Sequence, residues 1–339
     1  MKSFKGFFLF TLAFAVLLTS ITLPGCKAEK QEVSKINFVE TVHSIFYAPY
    51  YVAVNKGFFK DEGIELNITT AQGSDKAATA VLSGTADIGL QGPETTVYVF
   101  KEGREDYLIN FGQLTRKDGS FLLGKKPEKD FKWENVKGKK VIGGRPGGMP
   151  EMTLEYVLKE HGIDPKKDVN LVTNLQFTAN AGAFMSSDAD YVQLFEPTAS
   201  LVEKAKGGYI VASVGASAHE VPYTTFNAKK SYIMKHPDII QHFTNAVYKG
   251  MLYVESHSSR DVAESIKSFF PDADIDLMTT VIERYKKQNT WGKTLQMKTE
   301  DFDFLQDILV NAGEIKHKVD SKQLINNTFA DKALNTIKK

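Results

Sequence analysis

The chain has 339 residues, with 42 Lys plus Arg against 41 Asp plus Glu, a formal net charge of +1 and one cysteine, Cys26. So even a balance provides no global field to draw in nucleic acid or an acidic surface, and no nucleic-acid partner is expected. A lone cysteine excludes an internal disulfide, a cysteine-ligated metal and a cysteine nucleophile in the folded body. The seven histidines contain no HExxH or other close ligand pair, so neither metal nor cofactor is expected.

The first element is a leader. A basic start (Lys2, Lys5), an apolar stretch over residues 6–22 and the run Leu23-Pro24-Gly25-Cys26 have the layout of a lipoprotein signal. The small Gly25 lets a peptidase close on the backbone. The Cys26 thiol then takes acyl chains such as palmitate, whose buried CH₂ groups tether the chain at about 0.8 kcal/mol each. The apolar stretch is at the short end of the roughly 17–25 residues that span a bilayer, which favours cleavage over an uncleaved anchor. The expectation is a signal over 1–25, a polar tether over 26–35, and a chain lipid-anchored on the extracytoplasmic face of a bacterial cell membrane. Roughly 300 residues remain, enough for two domains of ordinary size.

The body alternates apolar runs, Gly, Ser or Pro turns, and helical periodicity, the mark of an α/β fold. Residues 35–41 read as a strand and 48–60 as a helix, with Tyr51 and Phe59 at core spacing and Gly63 as the stop. Residues 64–70 are a second strand, Gln72-Gly73-Ser74-Asp75 a turn, and 76–83 a helix. Residues 86–90 are a short buried strand, after which Gln91-Gly92-Pro93-Glu94 opens a helix with Pro at its start and an acid in its first turn. Each turn thus follows the carboxyl end of a strand, the edge where open α/β sheets bind ligands.

After a lysine-rich bridge over 124–137 the pattern restarts. Residues 139–143 are a strand, 144–150 a Gly- and Pro-rich turn, and 151–161 a helix. The run from Thr85 to Glu94 (TADIGLQGPE) has a counterpart from Asp188 to Pro197 (DADYVQLFEP), longer by one residue between Asp and Pro. Its appearance once in each half predicts two related lobes facing each other across a cleft. Residues 223–228 read as a strand and the rest as mostly helix returning to the first lobe. The expected division is lobe 1 over 36–124, lobe 2 over 125–220 and a return over 221–339, with a hinge at 220–223.

The stretch from His43 to Leu66 (HSIFYAPYYVAVNKGFFKDEGIEL) resembles the start of bacterial solute-binding proteins of the nitrate, sulfonate, taurine and thiamine-pyrimidine group. Leu82 to Gly89 (LSGTADIG) is similar to that group's lobe-one motif, and Lys137 to Val141 (KGKKV) to the start of its second lobe. The resemblance implies a two-lobed periplasmic-binding-protein fold of the type II kind with two hinge crossings. It further implies delivery of a small molecule to the permease of an ATP-driven importer, with a monomer expected.

An interlobe pocket for such a ligand needs aromatic walls and a few convergent polar groups. The candidates before the first helix are Ser44, Phe46, Tyr47 and Tyr50, with Tyr47 foremost, because an aromatic ring there stacks on a flat heterocycle. Gly73, Ser74, Gln91 and Gly92 offer backbone N–H groups at helix starts, although plain capping accounts equally for Ser74 and Asp75. Glu94 is a candidate acceptor for an amino group. In the second lobe Gly144, Arg145 and Gly147 lack both GxGxxG and GxxxxGK[ST] and read as backbone approach plus a guanidinium clamp. Asn180, Phe195 and Glu196, the last two opposite Gln91 and Glu94 by the repeat, complete the set with Tyr223. Trp133 is expected to pack at the lobe boundary and Trp291 in the core or at the cleft.

Two ligand classes fit. The aromatics with Glu94 and Glu196 favour a flat nitrogen heterocycle such as a thiamine pyrimidine precursor, while Arg145, Arg116 and helix N-termini suit a sulfonate or other small anion. No catalysis is expected. The pyrimidine-forming enzymes of the same fold are marked by a cysteine-rich motif, this body has no cysteine, and no GxSxG is present. A surface sensor without transport is the remaining alternative.

Overall fold

The computed structural model describes residues 33–338, so the leader, Cys26 and most of the tether lie outside the described residues. Ten strands form two five-stranded mixed sheets. The first contains β1 (Ser34–Glu40), β2 (Ile64–Thr70), β3 (Ile88–Gln91), β4 (Leu108–Thr115) and β10 (Thr224–Lys229), in the order β2-β1-β3-β10-β4. The second contains β5 (Ser120–Gly124), β6 (Lys140–Ile142), β7 (Asn170–Val172), β8 (Tyr191–Phe195) and β9 (Tyr209–Ser213), in the order β7-β6-β8-β5-β9. In each sheet three strands run parallel and the remaining pairings are antiparallel, so the two share one topology.

The sequence repeat occupies the same place in both sheets. Asp87 stands before the central strand β3, and its Oδ2 accepts the N–H of Asn37 at 2.8 Å. Asp190 stands before the central strand β8 and accepts the N–H of Lys140 at 3.0 Å. Ala86 and Ala189 beside them are buried. The Ala-Asp pair is therefore a strand-pairing device, satisfying a backbone donor of the neighbouring strand.

Three details depart from the sequence expectation. The helix foreseen over 48–60 is two helices, Ala48–Asn55 and Phe58–Asp61, because Gly57 between them sits at φ 79, a conformation glycine adopts without steric cost. Residues 120–124, assigned to lobe 1, form β5 and pair with β8 and β9 in the second sheet, so the first crossing is the short run 116–119. The lysine-rich bridge is consequently a loop within the second half. Its Trp133 is buried in that half's own core and donates Nε1–H to Ser217 Oγ at 3.1 Å.

The helical tail does more than cover the first half. The helix Pro237–Ser256 lies on Ala48–Asn55 so closely that a Cβ on Gly250 would stand 2.1 Å from Pro49 O. The helix Ile275–Gln288 reaches the second half through Arg284, and Thr299–Ala312 packs on Met149–Glu160. Among the described residues no helix is long and apolar enough to cross a membrane.

Candidate functional site

A cleft opens where the carboxyl ends of the parallel strands of the two sheets face each other. Its wall takes Thr41 and Val42 from the end of β1, Gln72 to Ser74 after β2 and Gly92 after β3. From the second half come Gly144 and Arg145 after β6, Leu175 to Phe177 after β7, and Phe195 at the end of β8. Tyr223 and Thr224 close the back, where the chain returns. The cleft is open at its mouth, and the atom-free space within and in front of it is about 740 Å³.

Aromatic rings dominate it. Phe46 is the hub, with ring centroids 5.5 Å from Tyr47, 5.4 Å from Phe195, 5.8 Å from Tyr223 and 5.6 Å from Tyr285. Phe177 lies 5.3 Å from Phe195 and extends the wall outward. Gly119 permits this packing, since a Cβ there would meet the Phe46 ring at 2.3 Å. Trp291 sits behind the hub and fixes it by donating Nε1–H to Phe46 O at 2.9 Å. The Tyr47 and Tyr223 phenols stay protonated, as burial lifts both above the usual tyrosine range.

The polar groups divide into occupied and free. Ser74 Oγ accepts the Gly92 N–H at 3.1 Å and so ties two cleft loops together. Among the described residues Arg145 is the only charged side chain lining the cleft, and its Nε pairs with Asp75 Oδ1 at 3.0 Å from the opposite side. Glu94 is different. Its carboxylate folds over Gly92, where a Cβ would stand 2.0 Å from Oε2, and lies beside Met149 and Arg145, both of which line the cleft. The side chain is fully buried, and the backbone N–H groups of Glu94 and Met149 approach its oxygens without making a well-formed hydrogen bond. Burial pushes its pKa up to about 7, with the Arg145 charge and the N–H groups of Glu94 and Met149 only partly offsetting the cost.

Of the sequence candidates, Phe46, Tyr47, Gly73, Ser74, Gly92, Gly144, Arg145, Phe195 and Tyr223 are brought together at the cleft surface. The others are not. Tyr50 points into the first core, its ring 4.8 Å from Phe38, although three-residue helical spacing alone would leave it on the side of Tyr47. Gln91 is buried and donates Nε2–H to Thr95 Oγ1 at 2.9 Å. Gly147 faces Glu314, and Asn180 donates Nδ2–H to Gly143 O at 3.0 Å, bracing a cleft loop from behind. Ser44 and Glu196 border an adjoining hollow, where the Ser44 hydroxyl donates to Glu196 O across the two halves. The Glu196 carboxylate is committed as well, accepting from Arg284 Nη1 at 3.0 Å and from Ser200 Oγ and N at 2.9 Å.

Sequence reasoning missed Gln72, Met149, Gln176 and Phe177. Phe177 follows a three-residue strand and shows no periodicity to flag it. Gln72 carried a readable signal in the Gly that follows it, and it takes the left-handed φ of 62 in that turn.

Comparison with known proteins gives a consistent picture. A family model described as NMT1/THI5 like matches residues 45–260. The Bacillus subtilis (strain 168) protein YtlA, named as a binding protein, is 46% identical over 310 residues, covering 91% of this chain and 92% of that one. A second Bacillus subtilis protein, named for aliphatic sulfonates, is 24% identical over 85% of both chains. A Candida albicans protein named 4-amino-5-hydroxymethyl-2-methylpyrimidine phosphate synthase is 21% identical over 76% of this chain and 82% of its own. Among solved structures, the nitrate-binding protein NrtA of Synechocystis PCC 6803 superposes with a TM-score of 0.73 at 15% identity, covering 91% of this chain and 90% of that one. With the same double sheet and a family match over more than half its length, the chain belongs to the NMT1/THI5-like family of solute-binding proteins and has the periplasmic-binding-protein fold.

Proposed function

We propose that this protein is the extracytoplasmic receptor of an ABC importer for a flat, uncharged nitrogen heterocycle bearing an amino group, an aminopyrimidine of the thiamine-precursor kind. The observation that carries the reading is the charge state of the cleft. Its aromatic walls suit a stacked ring, its one lining cation is already paired with Asp75, and directly behind the lining residue Gly92 lies the buried Glu94 carboxylate, which makes no well-formed hydrogen bond. An amino group donating to Glu94 would satisfy a buried acceptor that is costly to leave alone. An alkyl sulfonate would have to share Arg145 with Asp75 and would bring a second negative charge towards Glu94.

In this reading the two halves close on the ligand by hinge motion and present it, as a monomer, to a membrane permease, with the chain tethered through a lipid on Cys26. The role is binding, without catalysis. The test is mass spectrometry of small molecules released from the purified protein, followed by calorimetric rebinding. A recovered aminopyrimidine that rebinds supports the reading. An alkyl sulfonate or nitrate overturns it, and a protein that rebinds neither class favours a sensor without transport.

A further inference from the structure

The two crossings between the halves run side by side. Val221 donates its N–H to Arg116 O at 3.0 Å and Tyr223 to Thr115 O at 2.9 Å, while Arg116 donates to Thr290 O at 2.8 Å. Between them, fully buried, lies Asp118. Its Oδ1 accepts from the N–H and the hydroxyl of Ser120, the first residue of β5, and its Oδ2 accepts from the Tyr223 hydroxyl at 2.6 Å. The Ser120 hydroxyl in turn accepts from Gln193 Nε2 at 2.8 Å, deep in the second sheet. Gln288 Nε2 donates to Asp118 O at 2.7 Å. The helix Val214–Ser217 presses on the same carbonyl, where a Cβ on Gly215 would stand 1.9 Å away.

One carboxylate thus touches the first crossing, the second crossing, the second sheet through Ser120, and the ring of Tyr223 that forms the back of the cleft. We propose that Asp118 is the positioning residue of this receptor, coupling the opening of the two halves to the seat of Tyr223 in the cleft wall. The carboxylate is acceptor-only when ionised, which matches three donors converging on it. Protonation removes the charge that strengthens these bonds and makes one oxygen a donor, so the Tyr223 hydroxyl must turn from donor to acceptor or give up its bond, and the network weakens. Burial raises the Asp118 pKa to about 6 against the opposing effect of the Ser120 and Tyr223 donors. The other titratable groups facing the network are Tyr285 towards Asp118, and Glu94 and Tyr47 towards Tyr223. At the rim of the crossing Arg116 pairs with Glu220, and Lys117 lies 3.9 Å from the same carboxylate.

The inference does not depend on which ligand is bound. Spin labels at Lys60→Cys and Lys166→Cys, exposed sites in the first and second halves, in a full chain carrying Cys26→Ser, report the spread of interhalf distances without ligand. The unmodified network is expected to give a narrow distribution at pH 8 that broadens as pH falls through about 6. Asp118→Asn should show the broad form at both pH values. Tyr223→Phe keeps the ring and its packing but removes one donor, so the midpoint should move above 6, a shift that simple loosening would not produce. A distribution that stays narrow in both variants from pH 5 to 8, or one that broadens only in step with a lowered Tm and with no change in midpoint, would overturn the proposal. Should Asp118→Asn fail to fold, the Tyr223→Phe midpoint decides alone.

Discussion

Replacing Glu94 by Gln is expected to stabilise the protein while weakening binding. Burial lifts this carboxyl from 4.5 to about 7 in the folded chain. The unfolded chain therefore ionises first as pH rises. Stability is full below about pH 4.5, falls between 4.5 and 7, and stays reduced above. At about 1.4 kcal/mol per unit, the loss amounts to about 3 kcal/mol by pH 8. Glutamine keeps the shape and cannot ionise, so Glu94→Gln should recover most of that at pH 8 and little at pH 5. For roughly 300 residues this is a rise in Tm on the order of 5 °C. Calorimetric unfolding of both proteins at the two pH values measures it directly. A variant less stable by the same amount at pH 5 and pH 8 would refute the reasoning, since the carboxyl would then be a satisfied structural group. The accompanying loss of aminopyrimidine affinity is the cost of stability that functional sites commonly carry.

Other substitutions test other parts of the account. Phe177→Ala removes one wall of the aromatic cleft and should weaken aminopyrimidine binding by about 0.5–1.5 kcal/mol, a few-fold to about tenfold in Kd, with Tm nearly unchanged because the side chain is only partly buried. Arg284→Ala leaves Glu196 with Ser200 alone and should destabilise by about 2 kcal/mol in denaturant unfolding. That lies below the figure for a fully buried pair, since Arg284 is 32% exposed. Gly250→Ala forces a methyl onto Pro49 O and should cost about 1–3 kcal/mol, detected as a lower urea midpoint with the cleft's ligand specificity intact.

The scaffold was legible because it repeats. Alternating runs and turns marked β1, β2 and β3, and the Ala-Asp pair appeared in both halves because both central strands need the same acceptor beside them. The first crossing was invisible for the opposite reason. Arg116 to Gly119 is a four-residue step, Arg-Lys-Asp-Gly, that reads as an ordinary hairpin turn between two apolar strands, whereas the lysine-rich stretch looked like a boundary and is a surface loop. For the cleft, position after a strand end was a good guide, and it found Phe46, Tyr47, Ser74, Arg145 and Phe195. It failed where direction mattered. Tyr50 is three residues from Tyr47 yet faces the core, and Glu196 is spent on Arg284, a partner 88 residues away in sequence. Pairing of that kind depends on tertiary packing and leaves no local pattern.

The central claim, a cleft built for a neutral donor-bearing ring, meets its most direct test in calorimetric titration with 4-amino-5-hydroxymethyl-2-methylpyrimidine and with an alkanesulfonate at pH 6 and pH 8. If the ring's amino group binds the ionised form of Glu94, whose pKa is about 7, the competent fraction rises from roughly a tenth to nine tenths, and affinity should increase about tenfold from pH 6 to pH 8. Tight sulfonate binding that weakens over the same interval, with no measurable pyrimidine binding, would contradict the account.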